Sequence, residues 1–169
     1  MADITLKGNA IHTNGDLPAV GSTAPDFSLV APDLSDASLA TYVGKKKLLS
    51  IVPSLDTPTC AISTQKFNSA MADKRDAVAL VISGDLPFAS KRFCGAEEIE
   101  NVISLSMMRS KSFAKDYGML ITDGPLAGLC ARGVVVLDEN NQVVYTQLVP
   151  EIAEEPDYDA ALAALQLSC

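Results

Sequence analysis

Two apolar runs, residues 46–52 and 77–83, flank a stretch that reads as a helix from Pro58 to about Met71. The second run, Ala-Val-Ala-Leu-Val-Ile-Ser, lacks the alternation of a strand with one wet face. Such a run is expected where both faces of a parallel sheet are covered. Strand, helix and strand in this order make a β-α-β unit, and that unit puts the chain in the α/β class. It also puts the loop after the first strand at a carboxyl edge, where open α/β sheets carry their sites.

That loop runs Pro53-Ser54-Leu55-Asp56-Thr57-Pro58-Thr59-Cys60. Thr57 suits the N-cap and Pro58 the first helical position. Thr59 and Cys60 then sit where backbone N–H groups have no intrahelical partner, and with the positive end of the helix dipole these favour a thiolate. From these residues alone two readings stay open. One is a reactive thiol; the other is an ordinary capped helix with a small apolar residue in its first turn.

A chain of 169 residues is read as one domain over 1–169, and a fold of that size buries roughly 70% of its unfolded surface. With 48% hydrophobic residues, no tryptophan and 5% aromatics, the core is expected to be aliphatic. The net charge of −8 argues against nucleic acid and anionic membrane as partners, since either needs clustered Lys and Arg. No signal-peptide pattern and no apolar run of about 18 residues is present, so a cytoplasmic protein is expected. Four cysteines at irregular spacing, with no C-x-x-C, suggest redox or incidental thiols rather than a disulfide framework or a thioredoxin-type motif. No Cys/His cluster suits a metal, and His12, the single histidine, is read as a solvated ring without a catalytic role.

Along the chain, 3–6 and 10–13 read as a hairpin turning at Lys7-Gly8-Asn9, followed by a short strand at 27–31 and a helical turn or two at 38–43. Beyond the second apolar run, Asp85 is expected to cap a helix that passes through Phe93 and Cys94 and stops at Gly95. A strand at 101–106, a helix at 110–117 and an extended piece at 119–122 come next. Strands at 130–138 and 142–149 form a hairpin about Glu139-Asn140-Asn141, and 155–167 closes as a helix.

Arg132 interrupts an apolar strand where an unpaired guanidinium is costly, so it is expected to face an anion, either a thiolate or a surface carboxylate. Cys94 reads as a second redox thiol or as a small core residue beside Phe93. Thr57 is a cap whose hydroxyl can also bond a thiolate. Pro53 shapes the loop and shields the sulfur from water. Met107-Met108 and residues 124–129 are candidates for an apolar approach, with ordinary core packing the alternative for the methionine pair.

Pro53-x-x-x-Thr57-x-x-Cys60 resembles the active-site signature of the peroxiredoxins, and Arg92-Phe93-Cys94-Gly95-Ala96-Glu97-Glu98 resembles one subgroup, the bacterial thiol peroxidases. Four more stretches are similar to that subgroup: those beginning at Val30, Ser83 and Asp123, and Glu155-Pro156-Asp157-Tyr158. The resemblance implies an α/β thioredoxin-like fold, a mixed sheet flanked by helices with an N-terminal β-hairpin. It implies Cys60 as peroxidatic and Cys94 as resolving cysteine, joined in one chain by a disulfide, with Pro53, Thr57 and Arg132 completing the peroxide site. It further implies hydrogen peroxide and organic hydroperoxides as substrates, thioredoxin as reductant, a homodimer, and no bound cofactor or metal.

A thiol-disulfide exchange enzyme using Cys60 and Cys94 on proteins, or a redox-sensing binding module, remain the rival readings. Cys130 stands where the family usually has alanine, and Cys169 lies outside any family motif; both are read as bystanders. Cys130 is two residues from Arg132, so on one strand the two would share a face, bringing a third thiol near Cys60. It is still expected to lose to Cys94 for the sulfenic acid, being buried and protonated.

Overall fold

The computed structural model describes residues 2–167. The first two strands, β1 (Asp3–Leu6) and β2 (Asn9–His12), pair antiparallel with Leu6 opposite Asn9. Lys7 and Gly8 have φ of 50° and 81°, the left-handed pair that a tight two-residue hairpin requires. The turn is thus one residue shorter than expected: Lys7 and Gly8 make it by themselves, and Asn9 already belongs to β2.

Further along are β3 (Leu29–Val30), β4 (Asp36–Ala37), a 3-10 turn over Leu39–Tyr42, β5 (Lys46–Ile51) and α1 (Pro58–Met71). β6 (Ala77–Ser83), α2 (Pro87–Ala96), β7 (Val102–Ser106) and α3 (Ser112–Asp116) follow, then β8 (Gly133–Leu137), β9 (Val143–Leu148) and α4 (Tyr158–Leu167). Seven strands form one sheet in the order β4-β3-β7-β6-β5-β8-β9. β5, β6 and β7 are parallel, and the remaining pairs are antiparallel. This mixed sheet, flanked by helices and preceded by an antiparallel hairpin, is the thioredoxin-like α/β fold that the resemblance implied.

Strand alternation divides the core in two. Leu48, Val52, Val81, Val134 and Val136 pack with Phe67 of α1 and Ala161 and Leu165 of α4. Leu49, Ile51, Ile82, Val135 and Leu137 face Phe113 and Tyr117, together with Ile4 and Ile11 of the hairpin. Both sides of β5 and β6 are therefore dry, which is why those runs carry no polar alternation; each fully buried Leu, Ile or Phe contributes about 1.5–3 kcal/mol. Phe67 meets Tyr158 edge to face at 5.2 Å and so locks α4 against α1. Among the described residues no helix is long and apolar enough to cross a membrane.

Three local expectations fail, each for a readable reason. Asp85 does not cap α2: Leu86 holds that position without a side-chain bond, because the Asp85 carboxylate is turned toward Ser54 and Leu55. Gly95 does not stop α2. Glu98 takes the left-handed position at φ 55°, with Glu98 N–H donating to Gly95 O and Ile99 N–H to Cys94 O at 2.8 Å, a Schellman closure built on a residue other than glycine. Finally, β8 begins at Gly133 rather than at 130. Gly133 has no space for a side chain, a Cβ there falling 2.7 Å from Met119 Cε and 2.8 Å from Gln147 O. Before it the chain leaves the sheet, and Cys130 pairs with Leu120 instead. Cys130 and Arg132 consequently do not share a face.

Candidate active site

The cysteine loop is built as its residues dictate. Thr57 has extended backbone at the N-cap of α1, Pro58 occupies the first turn, and Thr57 Oγ1 accepts the Cys60 N–H at 3.3 Å. Such a cap is typically worth about 1 kcal/mol. The same hydroxyl donates to Ser54 O at 3.3 Å, so its proton is committed to the loop. Cys60 is fully buried, in the first turn of the helix.

Arg132, only 2% exposed, reaches this sulfur from the segment before β8. Its Nη1 donates to Cys60 Sγ at 3.1 Å and its Nε to Ile152 O at 2.8 Å. A guanidinium so held stabilises negative charge on the sulfur and on any oxygen bonded to it. The loop after β9 forms the other wall. Thr59 Oγ1 donates to Ala153 O at 2.9 Å, and Glu151 accepts from Ala153 N and Gly8 N, both at 2.9 Å, and from Thr5 Oγ1 at 3.2 Å. Those backbone donors hold the Glu151 carboxyl below the usual range. Glu151 thus pins the N-terminal hairpin to the wall that positions Arg132.

Beside Arg132 and the Thr57 cap opens an apolar cleft of about 250 Å³, lined also by Pro53, Leu126, Leu129 and Ile152 and by Leu6 and Lys7 of the hairpin. Leu126 and Leu129 lie in the loop expected to line an approach. The methionine pair does not contribute. Met107 is buried on the far face of the sheet, and Met108 is exposed outside the cleft.

Pro53, Thr57, Cys60 and Arg132 therefore come together, whereas Cys94 does not line the cleft, although it packs against the core cluster that contains Cys60. It is half-buried on α2, and its thiol is pushed up by burial, with a hydrogen bond from Ser104 of β7 opposing that rise. Cys60, Cys94 and Cys130 all carry free thiols. Cys169 lies outside the described residues. Among the described residues no group of His, Cys, Asp or Glu is arranged to hold a metal ion. His12 is partly exposed and its ring is paired as well as solvated: Nδ1 lies 2.6 Å from Asp123 Oδ2 and Nε2 3.4 Å from Asp3 Oδ1. The Asp123 hydrogen bond raises its pKa.

The sequence reading missed the Ile152 carbonyl, Glu151 and the hairpin rim. A carbonyl carries no side-chain signature, and the hairpin meets the cleft only through tertiary packing. Asp85 was singled out, but for another task.

The geometry is that of a thiol-based redox catalyst on a thioredoxin-like sheet, and comparison with known proteins gives the same class. The Redoxin family model matches residues 19–162. A thiol peroxidase of Mycobacterium tuberculosis is 56% identical over 165 residues, 98% of this chain and 99% of that protein. The crystal structure of a peroxiredoxin-like protein from Aquifex aeolicus superposes with a TM-score of 0.94 at 39% identity, covering 100% of this chain and 98% of that one. A thiol peroxidase from Chromobacterium violaceum gives 0.89 at 26% identity, with 97% and 95% covered. The chain belongs to the Redoxin family, in which it is a thiol-dependent peroxidase of the thiol peroxidase group.

Proposed function

We propose that the chain works as one peroxiredoxin domain over residues 1–169, reducing hydrogen peroxide and organic hydroperoxides through Cys60 and Cys94. The observation that carries this reading is the 3.1 Å bond to the buried Cys60 Sγ from Nη1 of Arg132, a residue that itself lines an apolar cleft. The Cys60 thiolate attacks the terminal peroxide oxygen and the O–O bond breaks. The departing alkoxide takes a proton and leaves as alcohol or water, while the sulfur becomes a sulfenic acid. Arg132 stabilises charge on both oxygens as the bond lengthens. Pro53 keeps water from the sulfur, and Thr57 Oγ1, already on the Cys60 N–H, has only to turn its proton from Ser54 O to meet the substrate.

Cys94 then attacks the sulfenic sulfur, releasing water and forming a disulfide within the chain. A dithiol reductant restores both thiols, itself becoming a disulfide. Family resemblance supports thioredoxin in that role, a homodimer as the working assembly and the cytoplasm as the setting. No bound cofactor or metal enters the cycle.

The test is peroxide-dependent NADPH consumption with thioredoxin and thioredoxin reductase. Catalytic turnover is expected. Reduction of insulin disulfides without peroxide would instead make the chain an exchange enzyme, and a single stoichiometric oxidation would make it a sensor.

A further inference from the structure

We propose that Asp85 is a positioning residue for the peroxide reaction of Cys60, a latch that fixes the cysteine loop to the end of β6 and the start of α2. The inference rests on Cys60 being the peroxide-reactive thiol. Asp85 stands two residues after β6 and two before α2, where a carboxylate would ordinarily cap the helix. Its side chain does something else. Oδ1 accepts from Ser54 Oγ at 2.7 Å, and Oδ2 accepts from Leu55 N at 2.7 Å and Ser83 Oγ at 2.8 Å. Its carbonyl accepts from Ser106 Oγ of β7 at 2.6 Å. Residue 85 is thus held by two neighbouring strands while its carboxylate holds the loop.

Where that grip lands gives it a consequence for chemistry. Ser54 and Leu55 directly follow Pro53, a wall of the cleft, and Ser54 O accepts the Thr57 hydroxyl whose oxygen caps the Cys60 N–H. A continuous chain of bonds therefore runs from Asp85 through Ser54 and Thr57 to the first turn of α1. Backbone bonds alone hold this loop weakly: after Val52 N to Ile82 O, the next is the long Thr57 N to Ser54 O contact at 3.4 Å. Without the carboxylate, the Leu55 N–H loses its partner, and Leu55, 2% exposed, loses its anchor. Displacement of a reacting group by about 1 Å can cost on the order of 10²-fold in rate.

Asp85→Asn separates positioning from charge. The amide oxygen can accept the Leu55 N–H, and the amide NH₂ can donate to a serine hydroxyl, which accepts as readily as it donates. The experiment is rapid mixing of reduced full-length protein with cumene hydroperoxide, following oxidation of Cys60, and separately the reduction of the oxidised protein by dithiothreitol. Asp85→Ala is expected to slow the peroxide step by about tenfold or more and to leave the reduction step unchanged, while Asp85→Asn stays within about threefold of wild type. Ser54→Ala, which removes the donor to Oδ1 together with the acceptor of the Asp56 N–H at 3.1 Å, is expected to slow the peroxide step by a few-fold and serves if Asp85→Ala does not fold. A general loss of stability would not single out one half-reaction. The proposal is overturned by a peroxide rate in Asp85→Ala, or in Ser54→Ala where the former is unfolded, equal to wild type. It is equally overturned by an Asp85→Asn rate as low as that of Asp85→Ala. Cys60→Ser is the control: continued peroxide consumption there overturns the role of Cys60 itself, whereas an inert Cys60→Ser beside a normal Asp85→Ala removes only the latch.

Discussion

Arg132 Nη1 lies 3.1 Å from Cys60 Sγ although the two residues are 72 positions apart in the chain, and the same guanidinium is anchored through Nε on Ile152 O. The anchor matters as much as the contact. A long side chain fixed at two nitrogens has its reorganisation done before substrate arrives, which is what makes an electrostatic contribution large in a buried site.

Replacing Arg132 by Met should slow the peroxide step by at least about tenfold, since one charge-assisted donor to a developing anion is worth roughly 2 kcal/mol or more. Stopped-flow oxidation of the reduced protein reads this directly. The fold should survive, because methionine fills much of the same apolar volume. Unchanged kinetics would remove Arg132 from the site.

Cys60→Ser should abolish turnover, whereas Cys94→Ser should react once with peroxide and stop at a sulfenic acid. The asymmetry follows from surroundings: Cys60 faces a guanidinium, while the Cys94 thiol is raised by burial and bonded to Ser104. Mass spectrometry after one equivalent of peroxide distinguishes the two. A Cys60→Ser protein that reacts at the wild-type rate would sink the assignment.

Much of this was legible because it depends on neighbours in sequence. The two dry runs, the Thr57 cap, Pro58 and Cys60 in the first turn are local patterns, and they appear at the expected residues. What was illegible depends on partners far away. Asp85 looked like a cap because its own neighbours say so, and only the fold brings Ser54 and Leu55 to it. Gly95 looked like a stop because glycine is the usual left-handed residue; Glu98 takes that role since Gly95 O finds its donor at Glu98 and Cys94 O at Ile99. Alternation placed Cys130 beside Arg132, and the break in the strand before Gly133 undid it.

The strained end of α2 yields a further prediction. Glu98 at φ 55° costs roughly 1 kcal/mol or more relative to glycine, and it closes the turn in which Cys94 O accepts Ile99 N–H. A disulfide needs Cα atoms roughly 4.4–6.8 Å apart; on the proposed pairing the Cys94 sulfur leaves Ser104 of β7 for Cys60, and opening of this turn is the route we propose for it. Glu98→Gly should therefore stabilise the last turn and slow disulfide formation by up to about fivefold, leaving the peroxide step alone. Sulfenic-acid trapping against time measures it. A disulfide rate equal to or above that of wild type would mean the turn does not open.

Cys130 was expected to be a third thiol beside Cys60, and the structure removes that competition by geometry as well as by chemistry. Its sulfur faces Met107 Sδ at 3.8 Å, in the core on the α3 side of the sheet, whereas Cys60 belongs to the core under α1 and α4. Burial pushes its thiol up to about 12, only slightly offset by Lys111. Peptide mapping after one equivalent of peroxide should accordingly show Cys60 joined to Cys94, with Cys130 reduced; a dominant Cys60–Cys130 bond would overturn both the pairing and the core assignment. The same burial has a consequence for stability. In the window from the ordinary value of 9.0 up to about 12 the folded state keeps the Cys130 proton that the unfolded chain has lost, so the folded protein binds more protons and stability must fall as pH rises. Below that window both states are protonated and the contribution is complete. Cys130→Ala lacks the titrating group, so its urea-unfolding midpoint should fall less steeply than that of wild type above pH 9. Parallel curves for the two proteins across that range would show that the Cys130 thiol ionises without penalty in the fold.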